Sequence, residues 1–162
     1  MYYRRTLNFC EENSSTSYLC NSYLAPITDK GKCFASVDHY LAYHKAMLAG
    51  DKRLADIMLM TESVDLVKSF GRNIINHDES KWERIHFKTL RRAIYLKFIQ
   101  NPDLMRKFSL TRGKRLVYAN VKDSFYGNGT SPESFIMDAE DNEGFNILGY
   151  VLMDVRNDLF DE

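Results

Sequence analysis

The segment from Ser80 to Pro102 constrains the fold more than any other part of the chain. Ser80-Lys81-Trp82-Glu83 has the form of a capping box, Ile85, Leu90, Ile94 and Phe98 recur at helical spacing, and Asn101-Pro102 ends the pattern. One long amphipathic helix is therefore expected here. Asn101-Pro102-Asp103 begins a further short helix, with proline at its first position. Upstream, Ser36 precedes Val37 to Leu48 as an N-cap precedes a three-turn helix that closes near Gly50. Two shorter helices are expected from Asp51 to about Met60 and from Ser63 to Phe70, the second stopped by Gly71. At the far end Ile147, Leu148, Val151, Leu152, Val155 and Leu159 mark an amphipathic helix.

The segments between these helices say less. The first 35 residues are polar and aromatic, so extended segments and turns are expected there, with one small hairpin closed at Asp29-Lys30-Gly31-Lys32. Leu116-Val117-Tyr118-Ala119 fits a short strand or a buried turn equally well. Asp123 to Glu143, with Gly127, Gly129 and Pro132, reads as a loop long enough to build a binding site. The fold class is mainly α, a single domain over residues 1–162 with a minor N-terminal β element.

Composition narrows the functional classes. A chain of 162 residues with 44% apolar residues, 13% aromatics and three prolines has the make-up of a globule with one core, not of a disordered tract. No apolar run approaches the ~18 residues of a membrane span, and Met1-Tyr2-Tyr3-Arg4-Arg5 lacks the apolar stretch of a signal peptide. A cytoplasmic protein without membrane attachment is expected. Cys10, Cys20 and Cys33 have no CxxC spacing, and His39 and His44 sit ~140° apart around a helix, so reduced thiols and no metal site are expected.

The 22 basic and 22 acidic residues cancel overall but not locally. Arg84 to Arg115 holds ten basic residues and one acid, whereas Asp123 to Val155 holds no Lys or Arg. Either the two segments complement each other in the fold, or the basic one meets the phosphates of a nucleotide or nucleic acid.

Asp38 and Lys45 are the first candidate pair. Seven residues along one helix return to within ~20° of the same face, so a carboxylate and an amine share a side of it, as acid/base and nucleophile or as unrelated surface charges. Trp82 reads as a core anchor or as a stacking platform. Asp123-Ser124-Phe125-Tyr126-Gly127 sets a carboxylate beside aromatics and a glycine, which suits a lid over a flat ring or an ordinary loop.

These residues recur within a longer ordered series. Leu7-Asn8-Phe9 is followed by Leu19-Cys20-Asn21-Ser22 with Pro26-Ile27, then by Ser36-Val37-Asp38-His39-Tyr40 with Lys45, and by Gly71-Arg72 and Trp82. Arg91-Arg92-Ala93, Lys97-Phe98 and Asn101-Pro102-Asp103-Leu104 come next, then Leu116-Val117, Asp123 to Gly127, and Asn146-Ile147-Leu148-Gly149 with Leu152-Met153 and Val155-Arg156. In this order and at this spacing, over nearly the whole chain, the sequence resembles the NADAR (NAD- and ADP-ribose-associated) family, also called YbiA-like N-glycosidases.

The resemblance implies a YbiA-like orthogonal helical bundle and hydrolysis of an N-glycosidic bond to ribose. Family activities include cleavage of phosphorylated ribosylamine intermediates of the riboflavin pathway and removal of ADP-ribose from guanine bases. It implies Asp38, Lys45 and Asp123 as catalytic residues, with Asn21, Arg72, Trp82, Tyr126, Gly127 and Asn146 around the ligand, no cofactor, and a ribosylated base or ADP-ribose-type molecule as partner, including ADP-ribosylated nucleic acid. Asp38, Lys45, Trp82, Asp123 and Tyr126 would then converge on one concave pocket. The alternatives are a non-catalytic module for an ADP-ribose or NAD-derived nucleotide and a nucleic-acid-binding domain. Against the family pattern, Asp38 stands for a glutamate, Tyr126 for a tryptophan and Ser22 for a phenylalanine, which gives a shorter acid and a less aromatic pocket. The acidic stretch from Ser131 to Phe145 replaces a Gly- and Lys-rich one, and is expected to repel a phosphate-rich ligand at that rim.

Overall fold

Helix boundaries follow local capping chemistry closely. A computed structural model describes residues 5–74, 78–130 and 144–160, and among these six α-helices and four short strands are formed. The fold is mainly α with a minor β element. Two units build it, one from Asn21–Pro102, the other from Met1–Cys20 together with Asp103–Glu162.

In the unit Asn21–Pro102, strands β2 (Ile27–Asp29) and β3 (Lys32–Phe34) form the expected antiparallel hairpin. Helix α1 (Val37–Leu48) follows, capped by Ser36, whose side chain accepts from the His39 N–H. Helices α2 (Lys52–Met60) and α3 (Val64–Arg72) are capped in the same way by Asp51 and Ser63. Gly71 does not end α3, which runs on to Arg72 and caps at Asn73. Helix α1 is the centre of this unit, packing against α2, α3 and the long helix α4 (Glu79–Gln100).

Two details of α4 differ from the sequence expectation. Its cap is Asp78, whose carboxylate accepts from the Lys81 N–H at 3.2 Å, so the helix starts ahead of the Ser80 box. Its buried face carries Trp82, His86, Leu90, Ala93, Ile94, Lys97 and Phe98, whereas Ile85 is exposed. A stripe through Trp82 and Leu90 leaves Ile85 roughly 100° off the buried side. The other end of α4 is tied to the hairpin: the Gln100 amide bonds both the N–H and the carbonyl of Thr28, at 2.7 and 2.8 Å, and Asn101 donates to the Pro26 carbonyl at 3.0 Å.

A second tie is ionic. Arg92 of α4 makes a two-pronged contact with Asp29, Nη2 to Oδ1 at 2.6 Å and Nε to Oδ2 at 2.9 Å, and the Tyr40 hydroxyl of α1 donates to the same carboxylate at 2.7 Å. The guanidinium, with the tyrosine hydroxyl, holds the Asp29 carboxyl down at about 2. Part of the basic segment is thereby neutralised by Asp29, and Arg106 likewise pairs with Asp103.

In the other unit, β1 (Arg5–Phe9) pairs in parallel with β4 (Lys114–Tyr118), Leu7 opposite Leu116 and Phe9 opposite Tyr118. Leu116 to Tyr118 are thus strand residues, given that form by a partner more than a hundred residues away. Helix α5 (Pro102–Ser109) begins at the proline and reaches a single 3-10 turn at Ser17–Leu19, where the Tyr18 hydroxyl donates to the Lys107 carbonyl at 3.1 Å. Helix α6 (Ile147–Phe160) lies against β4. The approach is so close that a Cβ on Gly149 would stand 2.3 Å from the Leu116 carbonyl oxygen. Arg156 is fully buried beneath the same strand, its Nη1 donating to the carbonyls of Thr111 and Lys114 at 2.6 and 2.8 Å.

Candidate functional site

The singled-out residues divide between the two units. Asn21, Asp38, Lys45, Arg72 and Trp82 lie in Asn21–Pro102, and Asp123, Tyr126, Gly127 and Asn146 in the other.

Helix α1 positions the first group. Asp38 sits in its first turn, and its N–H donates to the Asn21 carbonyl at 3.1 Å, which fixes Asn21 at that helix end. The Asn21 Oδ1 is buried without a hydrogen-bond partner among the described residues, an acceptor suited to a donor from outside the chain. His39 anchors the same turn: its Nδ1 is 2.7 Å from the Ser36 Oγ, and burial pushes its imidazole down in proton affinity.

Two turns further on, Lys45 directs its ammonium over Trp82, with Nζ 5.9 Å from the ring centroid, within cation–π range. Trp82 is 8% exposed, so nearly all of it is packed in the interior. His86, one turn along α4, packs against it with ring centroids 5.2 Å apart. Burial, and then the Lys45 charge, push His86 below the ordinary imidazole range, against a smaller pull from Glu79. Sequence reasoning passed over His86, although the four-residue spacing Trp82, His86, Leu90 is the signal that puts it on the buried face. Arg72 ends α3 and is exposed.

The second group is a loop wound around its own backbone. The Asp123 Oδ1 accepts from the N–H groups of Phe125 and Tyr126 at 3.0 and 2.8 Å, a tight Asx turn. A Cβ on Gly127 would lie 2.7 Å from the Asp123 carbonyl oxygen and 2.9 Å from that of Tyr118, so only glycine fits. Carbonyls of Phe125, Tyr126 and Gly127 accept from the N–H groups of Ile147, Leu148 and Asn146, satisfying the start of α6. Asn146 adopts a left-handed backbone with φ 51°, and its amide bridges β4, accepting from the Tyr118 N–H at 2.9 Å and donating to the Leu116 carbonyl at 3.0 Å. The side chain expected to meet ligand thus braces the strand. The acidic rim from Ser131 onward falls, up to residue 143, outside the described residues.

Residues 8–160 match the NADAR domain. The chain belongs to the NADAR family. It is 31% identical over 126 residues to an N-glycosidase of Acanthamoeba polyphaga mimivirus, covering 77% of this chain and 74% of that one. It is 29% identical to a riboflavin biosynthesis protein of Vibrio vulnificus, matching 93% of this chain but 38% of that longer protein. The N-glycosidase YbiA of Shigella boydii is 25% identical, with 94% of this chain and 88% of that one covered. In fold, the NMR structure of the Escherichia coli protein YbiA superposes with a TM-score of 0.78 at 23% identity, over 98% of this chain and 87% of that one. Among the described residues no helix is long and apolar enough to cross a membrane.

Proposed function

We propose that this chain is a hydrolase of N-glycosidic bonds, cleaving the bond between C1 of a ribose and the nitrogen of a nucleobase-like group. The observation that carries the reading is the facing of the Lys45 ammonium and the Trp82 indole beside the helix that bears Asp38, in a chain of a family whose relatives are named N-glycosidases.

The chemistry follows from charge. As the C1–N bond lengthens, the bonding electrons leave with the nitrogen and positive charge develops on C1 and the ring oxygen. Asp38 stabilises that oxocarbenium or takes the proton of the attacking water. Water adds at C1, and the base departs with a proton. Lys45 holds a phosphate, or forms an imine with the ring-opened sugar with release of water. Trp82 backs the Lys45 ammonium as a wall of the site, and the Asn21 Oδ1 accepts from a sugar hydroxyl or an amine. By family resemblance Asp123 and Tyr126 serve the departing base, and Arg72 suits a phosphate. Gly127 and Asn146 contribute by holding the loop in shape. The substrate class is an ADP-ribosyl-guanine, free or in nucleic acid, or a ribosylamino-pyrimidine phosphate, met in the cytoplasm.

Mass spectrometry of ribosylated nucleobases and ADP-ribosyl-guanine incubated with the protein tests this. Loss of the sugar, absent with Asp38→Ala, is expected. Binding of ADP-ribose without any release of base would return the chain to a nucleotide-binding module.

A further inference from the structure

Helix α4 carries a buried imidazole that the chemistry above does not use. His86 is 5% exposed and leans on Trp82 at an interplanar angle of 43°. The ammonium of Lys45, from α1, approaches the same indole. One aromatic ring therefore has two nitrogen bases against it, and only the imidazole changes charge near neutral pH in its ordinary state. Neutral, it is an aromatic neighbour that fixes the indole. Protonated, it is a second cation close to Lys45, in a setting where burial weakens the screening of like charges.

Lys45 faces His86 from α1, and Glu79 acts on it from α4 itself. Strand β2, also packed on α4, carries Asp29, but that carboxylate is engaged by Arg92 and Tyr40.

We propose that His86 is a positioning residue of the Lys45–Trp82 pair: neutral, it seats the indole and leaves it to the lysine, and on taking up a proton it sets a second cation beside the lysine and moves the pair out of its working arrangement. The link to catalysis rests on the glycosidase reading; the coupling itself does not.

Trp82 is the sole tryptophan, so indole emission reports on this one site. Emission is followed from about pH 8 to about pH 5 in the full chain, with circular dichroism to mark the range in which it stays folded. A protonated imidazole quenches an indole, so wild-type emission should fall with a midpoint below 6.5. His86→Gln should abolish that transition, and Lys45→Met should move it upward. Where His86→Gln does not fold, His86→Phe keeps a ring against the indole and takes its place. With a ribosylated base as substrate, kcat/KM should fall in acid over the wild-type emission range, and His86→Gln should lose that limb. A role in packing alone would lower the rate at every pH and leave the profile unchanged. The proposal is overturned if the emission transition survives His86→Gln, if Lys45→Met leaves its midpoint in place, or if the acid limb persists without His86. A wild type that shows the coupled emission transition but cleaves no ribosylated base would overturn the glycosidase reading and leave the coupling standing.

Discussion

The two units use their candidate site residues in different ways. In Asn21–Pro102 the Lys45 ammonium stands over Trp82 with His86 beside the ring, and Asn21 has a buried oxygen to satisfy. In the other unit Asp123 and Asn146 direct their side chains at backbone, closing an Asx turn and bracing β4. The same residue types leave polar groups open to an outside partner in one region and hold backbone in shape in the other. A motif in a sequence therefore names a position without naming its task, and hydrogen-bond partners decide between the two.

This contrast can be broken by substitution. Gly149→Ala should be the most damaging change, because its Cβ would stand 2.3 Å from a strand carbonyl and either α6 or β4 must move. A loss of about 3 kcal/mol or more in urea unfolding, or failure to fold, is expected. Asn146→Ala leaves a buried N–H and a buried carbonyl of β4 unpaired and should cost about 2–3 kcal/mol. By contrast Asp38→Asn and Lys45→Met should stay within about 1 kcal/mol of wild type while removing activity. Equal stability losses in both groups would erase the distinction.

A smaller effect concerns pH. His39, His44 and His86, all on α1 or α4, have proton affinities pushed down by burial. For such groups the unfolded chain takes up protons first, so their contribution is complete above 6.5 and is lost as pH falls through it toward the lower folded values. Unfolding free energy should drop on acidification from pH 7, by at most about 1.4 kcal/mol per pH unit for each histidine. A stability flat between about pH 7 and about pH 5 would contradict the burial of these rings. A local effect is expected at the hairpin. Asp29→Asn weakens the contact with Arg92, which is half exposed, and should cost about 1–2 kcal/mol. Asp29 is held at about 2, so the wild type keeps this contribution above the ordinary value of 3.8 and loses it below, as the folded carboxyl is protonated.

Much of the helical frame was legible because it rests on local chemistry. Ser36, Asp51 and Ser63 each cap the helix that follows, and Pro102 opens α5. Distant partners explain what was not. Leu116 to Tyr118 are a strand because β1 lies alongside, and periodicity over so short a run carries no trace of that partner. Arg156 and Lys97 are charged yet buried, which nothing local in the sequence announces, one under the carbonyls of Thr111 and Lys114, the other with Nζ 5.6 Å from the Tyr23 ring. Asp38, Lys45 and Trp82 could be named from motif order, but the pairing of lysine with indole, and the histidine beside them, required the packing of α1 on α4.

The central claim is that Asp38 supplies the charge that the breaking glycosidic bond requires. Turnover of a ribosylated base by wild type, Asp38→Asn and Asp38→Glu, with affinity for ADP-ribose measured by calorimetry on the same samples, tests it most directly. Asp38→Asn should lose turnover by ~10²-fold or more while binding within a few-fold of wild type, and Asp38→Glu should keep or raise the rate. An Asp38→Asn protein that turns over as fast as wild type would contradict the claim.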